Sequence, residues 1–371
     1  MKTALSVLHL CRQFHPCLGG VERFVADLSA RLMDRGHRVE VATLDRCWRK
    51  PTRLSRHELV NGLSVHRLPF VGGPLFFAAP GVLNLVKHFD VLHIHNTDFF
   101  LDFLAATQFI HRRPLVVSTH GGFFHTPDYA ALKRLYFDLI TRQALSRVTV
   151  IPNSAGDERR FAPHAGRAAR IDNAIDYAAF AAIDRQPAPG RLITVGRLAP
   201  NKNLLALLEA FACARALNPA LSLVVVGDGH LRRELEGRAS ALSIADAVRW
   251  AGEIDDASLR AELAAAEVFV SAASYEGFGL ALLEAMAAGL IPVVNDIEAF
   301  RDIIVDGQNG FLADYAQPAS AAQTLIRALS LPPERKGSLS VAARTTAARF
   351  DWPEAVEKFE AVYEEAIRKP L

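Results

Sequence analysis

No CxxC pair occurs among the four cysteines, Cys11, Cys17, Cys47 and Cys213. That excludes a structural zinc ribbon or a disulfide framework, and reduced thiols are expected. Neither GxxxxGK[ST] nor GxGxxG occurs, so the P-loop and dinucleotide fingerprints are absent. There is no large excess of one charge: 42 Lys and Arg stand against 40 Asp and Glu, a formal net charge of +2. A clean membrane span is missing too. The longest uncharged stretch, 68–86, has spanning length, but Pro74, Pro80 and Gly72-Gly73 interrupt it, so it reads as a loop entering a helix near Pro80. The opening MKTALSVLHLCRQ has too short an apolar run and no cleavage site for a signal peptide; it reads as a core strand, and a cytoplasmic chain is expected.

What is present is a chain of 371 residues, 50% hydrophobic and 22% charged, which suits two globular domains and excludes disorder. Charge is unevenly shared. Residues 1–190 carry a net +8 and 191–371 a net −6, and twelve of the thirteen histidines fall in the first part. Apolar, β-branched runs alternate with helical patterns: 4–10, 39–43, 64–68, 91–95, 115–119, 148–151 and 169–172, then 192–195, 222–226, 248–251, 268–271 and 292–294. Between the first two runs, Phe24, Val25, Leu28, Leu32 and Met33 share one helical face and Gly36 follows as a stop. The alternation predicts parallel strands covered by helices. The segment 181–191 (AAIDRQPAPGR) reads as the linker. The expected fold class is therefore α/β, with two doubly wound, Rossmann-like domains at 1–186 and 187–352. An amphipathic helix, 353–371, with Val356, Phe359, Val362 and Ile367 on its apolar face, either seals the second domain or crosses back to the first. Ligands bind at the carboxyl ends of such strands, so a cleft between facing sheets is the expected site.

Several motifs sit at strand exits. Gly19-Gly20 lies where the first strand turns into a helix, where backbone N–H groups can approach an anion; a purely structural turn is the alternative. In VGRLAPNKN, Arg197 and Lys202 flank a loop before a helix and suit a diphosphate, or are ordinary solvated cations. In SAASYEGFGLALLEAMAAGLIPVV, Glu276 lies in a glycine loop with Gly277 and Gly279. Glu284 lies inside an apolar helix that Gly289 stops. A buried carboxylate needs a partner, and a ribose diol supplies two donors; both glutamates facing water is the bland reading. His93 and His95, two apart on a strand, face one side as metal ligands would, although no acidic or thiol set accompanies them. His120 ends a strand before Gly121-Gly122 and is expected to point into the cleft, with His125 further along the same segment.

In family order along nearly the whole chain, PCLGGVE, STHGG, NAID (Asn173–Asp176), VGRLAPNKN, VVVGDG, WAGEI and EGFGLALLEAMAAGLIPV resemble retaining GT-B nucleotide-sugar glycosyltransferases of family four. RQFHPCLGGVE, ATLDR, HELVNGLSVHRL and STHGGFFHT are similar to a branch acting in xanthan-type exopolysaccharide synthesis. That branch transfers mannose from GDP-mannose to a polyprenyl-diphosphate-linked cellobiosyl acceptor in an α-1,3 linkage. The resemblance implies that Arg197 and Lys202 hold the donor diphosphate, Glu284 the ribose and Glu276 the transferred sugar. It implies that Gly277, Phe278 and Gly279 line sugar and phosphates with their backbone and that Gly19 and Gly20 do so from the first domain. His120 then touches the sugar, and Glu253 and Ile254 meet the base. Ala174 replaces the family's usual glycine in NAID. No metal or other cofactor is expected. The partners implied are the nucleotide sugar, the lipid-linked acceptor and the inner face of the cytoplasmic membrane, which the basic segment 129–147 could touch. Two other functions remain open: a family-four hexosyltransferase using a UDP-sugar on lipopolysaccharide or glycolipid, and a metal-dependent hydrolase on His93, His95 and His120.

Overall fold

The computed structural model describes residues 4–17, 19–48, 50–74, 76–121 and 130–369. Gly122 and His125 lie outside these residues. Contacts divide the chain into two units, Met1–Asn173 with Pro353–Leu371, and Ala174–Trp352. The boundary read at 186 thus falls inside the second unit. Ile175 and Phe180 are buried in that unit's core and Ile175 pairs with Asp351, so the proline-containing segment 181–191 is a surface connection within it.

In the first unit, β1 (Ser6–Leu10), β2 (Arg38–Leu44), β3 (His57–Val60), β4 (Leu63–Leu68), β5 (Val91–His95), β6 (Leu115–Ser118), β7 (Thr149–Ile151) and β8 (Arg167–Ala168) form one sheet. Their order is β8-β7-β6-β5-β1-β2-β4-β3. All neighbours are parallel except β3 and β4, a hairpin turned by Asn61-Gly62, the pair favoured in two-residue turns. At the far edge the regular strand is Arg167–Ala168, and beyond it the Ala169 and Ile171 amides still donate to the Val150 and Pro152 carbonyls at 3.0 and 3.1 Å. Helix α1 (Gly20–Asp34) buries Phe24, Val25, Leu28 and Leu32. The uncharged stretch 68–86 contains two-residue strands, a 3-10 turn at Pro80–Val82 and the short helix Leu83–Val86. Among the described residues no helix is long and apolar enough to cross a membrane.

Cys17 and Cys47 form a disulfide with 5.8 Å between their Cα atoms, whereas Cys11 and Cys213 are free. This corrects the expectation of reduced thiols throughout. A separation of 30 residues carries no pairing signal. The two cysteines meet because the loop after β1 runs beside the strand Arg46–Cys47, with Gln13 donating to the Arg46 carbonyl at 3.0 Å and accepting from the Trp48 amide at 3.0 Å.

The closing helix, Trp352–Arg368, lies on the first unit from Pro353 onward. Val356, Phe359, Tyr363 and Ala366 are buried; Ile367 is only partly covered. Phe359 meets Phe24 and His93, with ring centroids 6.0 and 5.6 Å apart. Buried Glu360 accepts from Arg35 at 2.6 and 3.1 Å and lies 3.0 Å from His37 Nε2.

The second unit repeats the plan with β9 (Arg191–Val195), β10 (Ser222–Val226), β11 (Val248–Gly252), β12 (Val268–Ser271), β13 (Ile291–Asn295) and β14 (Phe311–Ala313). These strands are parallel in the order β11-β10-β9-β12-β13-β14. Each unit is therefore a doubly wound, Rossmann-like sheet.

Candidate active site

The strand order of the second sheet reverses between β9 and β12: from β9 the chain winds outward to β10 and β11, and from β12 to β13 and β14. In open α/β sheets the crevice at the carboxyl ends of the two strands flanking such a reversal is the ligand site. The loop after β9 carries Arg197 and Lys202, and the loop after β12 carries Glu276, Gly277, Phe278 and Gly279.

These two loops are stitched together. The Ser274 amide donates to the Asn201 carbonyl at 2.9 Å, Asn201 Nδ2 donates to the Tyr275 carbonyl at 3.2 Å, and Lys202 Nζ donates to Glu276 Oε1. Gly196 makes the arrangement possible. Its φ is +152°, and a Cβ there would sit 3.2 Å from Lys202 Cε, so the lysine lies directly across the turn. Lys202 and Glu276 are mostly covered, while Arg197 is exposed and pairs with no carboxylate among the described residues. Glu276 is thus a charge-paired carboxylate, suited to accepting hydrogen bonds.

Gly279, with φ +105°, caps helix α2 (Leu280–Ala287), so the helix starts on the loop that bears Glu276. Glu284 sits in this helix among buried Leu282, Leu283, Ala285 and Met286 and is itself half-buried. Phe278 turns its ring inward, against Phe350, with 5.5 Å between ring centroids. Glu253 and Ile254 follow β11 two strands away; Glu253 is exposed and Ile254 half-buried.

The first sheet has its own reversal, between β1 and β5. Gly19 precedes α1 in extended conformation and Gly20 begins it. After β5, Asp98 accepts from the Phe100 amide at 3.0 Å and pairs with Arg12 at 3.3 Å. Burial pushes the Asp98 carboxyl up to about 7, against the pull of Arg12. Neither Arg12 nor Asp98 stood out in the sequence.

His120 follows β6 with a left-handed backbone, φ +45°, and its amide donates to Asn153 Oδ1 at 3.2 Å. His93 and His95 do face one side, and the adjacent strand adds His9, which the sequence reading passed over; the parallel register places His9 opposite His93. All three are fully buried, with ligating nitrogens within 4.8 Å of one another. Those nitrogens are largely engaged. His93 Nδ1 lies 2.7 Å from Tyr363 Oη and its Nε2 2.9 Å from Ser118 Oγ. His95 Nε2 lies 2.9 Å from His9 Nδ1, and His95 Nδ1 lies 3.1 Å from His120 Nε2. A metal ion would have to displace these bonds, so the donor set suits a hydrogen-bonded chain better than a cation site.

Residues 18–178 match the family described as Glycosyltransferase Family 4, and residues 179–345 that described as Glycosyl transferases group 1. Over 373 residues the chain is 34% identical to the GDP-mannose:cellobiosyl-diphosphopolyprenol alpha-mannosyltransferase of Komagataeibacter xylinus, covering 99% of this chain and 95% of that one. Identity is also 34%, over 379 residues, to the protein of that name from Xanthomonas campestris, with 99% and 98% covered. In fold it is similar to the crystal structure of Anabaena Alr3699/HepE in complex with UDP and glucose. There the TM-score is 0.77 and the identity 20%, over 97% of this chain and 100% of that one.

Proposed function

Because this chain belongs to the family-four, group 1 glycosyltransferases, we propose that it transfers mannose from GDP-mannose to a cellobiosyl-diphospho-polyprenol, retaining the anomeric configuration and forming an α-1,3 linkage in exopolysaccharide synthesis. The observation that carries this reading is 34% identity, along 99% of the chain, to two proteins named for that donor and acceptor. The loops joined by Lys202 and Glu276 at the second sheet's reversal support it.

In this reading Arg197 and Lys202 hold the donor diphosphate, Glu284 the ribose, and Glu253 and Ile254 the base. Glu276 and His120 hold the sugar, and the backbones of Gly277, Phe278, Gly279, Gly19 and Gly20 lie along sugar and phosphates. The bond from the anomeric carbon to the departing phosphate breaks while the acceptor hydroxyl bonds to that carbon on the same face. The hydroxyl proton passes to the departing phosphate oxygen. Glu276, engaged by Lys202, is a hydrogen-bond acceptor rather than a covalent nucleophile. Two cations and the amino end of α2 stabilise the growing phosphate charge, the task a divalent ion performs elsewhere, so no metal is required. Calorimetry in EDTA tests the reading, with GDP-mannose expected to bind more tightly than UDP-glucose and turnover to continue without metal. Preference for UDP-glucose discards the donor assignment, and loss of turnover in EDTA discards the metal-free mechanism.

Peripheral contact with the cytoplasmic membrane face completes the proposal. The segment read as one basic helix is a helix at Ala130–Tyr136, a π-turn at Phe137–Thr141 and a helix at Arg142–Leu145, with Lys133 and Phe137 turned inward. Leu132, Leu135, Leu139 and Ile140 remain 45–59% exposed beside exposed Arg134, Arg142 and Arg147. Exposed apolar side chains and arginines on one segment suit an anionic lipid surface. Sedimentation with anionic vesicles is expected to exceed that with neutral ones; equal binding, or none, overturns this part.

A further inference from the structure

We propose that His95 and His9 are positioning residues which hold His120 in a single tautomer, with Nδ1–H presented as a hydrogen-bond donor; this rests on the reading above that His120 contacts the transferred sugar.

The argument starts from proton counting. A neutral imidazole has one N–H and one bare nitrogen. His9, His95 and His120 form a chain, His9 Nδ1 to His95 Nε2 at 2.9 Å and His95 Nδ1 to His120 Nε2 at 3.1 Å. Burial lowers His9 and His120 to about 3 and His95 well below its ordinary value, so near neutral pH all three rings are uncharged. Each contact then needs one donor and one acceptor. Only two arrangements satisfy both: every ring protonated at Nδ1, or every ring at Nε2. Any mixed state sets two lone pairs or two hydrogens against each other.

The inner end of the chain decides between them. His9 Nε2 is buried with no hydrogen-bond partner among the described residues. With all rings protonated at Nε2, that atom would be an N–H sealed away from any acceptor, and orphaned buried donors are rarer than under-satisfied acceptors. With all rings protonated at Nδ1, it is a bare nitrogen. The hydrogen bonds therefore run outward, from His9 to His95 to His120, and the His120 Nδ1–H is left for a ligand oxygen.

The rest of the site holds the ring in place. The left-handed His120 backbone is uncommon for a residue with a side chain. Asn153 binds its amide, and Asp157 accepts from the next amide, that of Gly121, at 2.8 Å. The Phe24 ring stands edge-on to the His120 ring, 4.9 Å between centroids. Strain confined to one residue and fixed by its neighbours is typical of groups that must meet a ligand. His93 does not belong to the chain, since Tyr363 and Ser118 take its nitrogens.

The test is a double-mutant cycle on transfer kinetics in the full chain, joined to nitrogen-15 NMR of histidine-labelled protein. His120→Ala is expected to slow turnover by about tenfold, as for loss of one directed hydrogen bond. His95→Ala is expected to lose most of that factor in kcat with little change in KM, and His95→Gln, which keeps a donor and an acceptor, to recover part of it. The double variant is expected to be no slower than His120→Ala alone. The NMR spectrum of the wild type is expected to show His120 protonated at Nδ1, a readout that needs no variant to fold. Multiplying effects in the double variant, or Nε2 protonation at His120, overturn the relay. An unaltered rate in His120→Ala removes His120 from the site and overturns the underlying assignment as well.

Discussion

Replacing Lys202 with alanine is expected to slow mannosyl transfer by roughly 10–100-fold, the loss of a charge-assisted hydrogen bond of about 1.5–3 kcal/mol. The size follows from where Lys202 sits. It crosses the Gly196 turn, ends at the Glu276 carboxylate, and is mostly covered, so its ammonium acts in a less screened setting than a surface lysine. A fall in kcat at nearly constant KM would mean that the contact tightens as the phosphate departs. A rise in KM alone would mean that donor and transition state are held equally. Wild-type kcat/KM would remove Lys202 from the site.

Phe359→Ala is expected to destabilise the first unit by about 3–5 kcal/mol, as for other large-to-small changes in a closed core. The ring is fully buried and meets Phe24 of α1 and His93 of β5, so its loss opens a void where helix, sheet and closing helix join. Native-state hydrogen exchange offers a local readout. Amides of β1 and β5 are expected to lose protection while those of β9 and β12 keep theirs. Unaltered exchange in β1 and β5 would show that the closing helix contributes nothing to their stability.

The strands that could be read directly from the sequence are those buried along their length, such as Leu115–Ser118 and Val268–Ser271, because both faces favour apolar, β-branched residues. His57–Val60 escaped because most of it is exposed and its pairing comes from the hairpin turn rather than an apolar pattern. Phe311–Ala313 escaped by brevity. The candidate site divides similarly. Its residue types were visible as glycine loops, two cations and two glutamates, since each lies in one short motif. What local spacing does not encode is contact across long separations. Lys202 and Glu276 are 74 residues apart and meet through the adjacency of β9 and β12. His9, passed over in the sequence, joins the other histidines only because the parallel register sets it opposite His93. Cys17 and Cys47 carried no mutual signal for the same reason.

The return of residues from Pro353 onward to the first unit sets an order of assembly on the ribosome. Residues up to 173 emerge before the second unit, yet their sheet waits for a helix that emerges after it. Until then the seam beside Phe24 and His93 is open to water, and Arg35 and His37 lack the Glu360 carboxylate. The second unit, drawn from the contiguous stretch 174–352, can close meanwhile. The unit that leads along the chain is thus the later of the two to be finished, and while the second unit is being made the nascent chain carries an apolar seam, the kind of surface on which chaperones act.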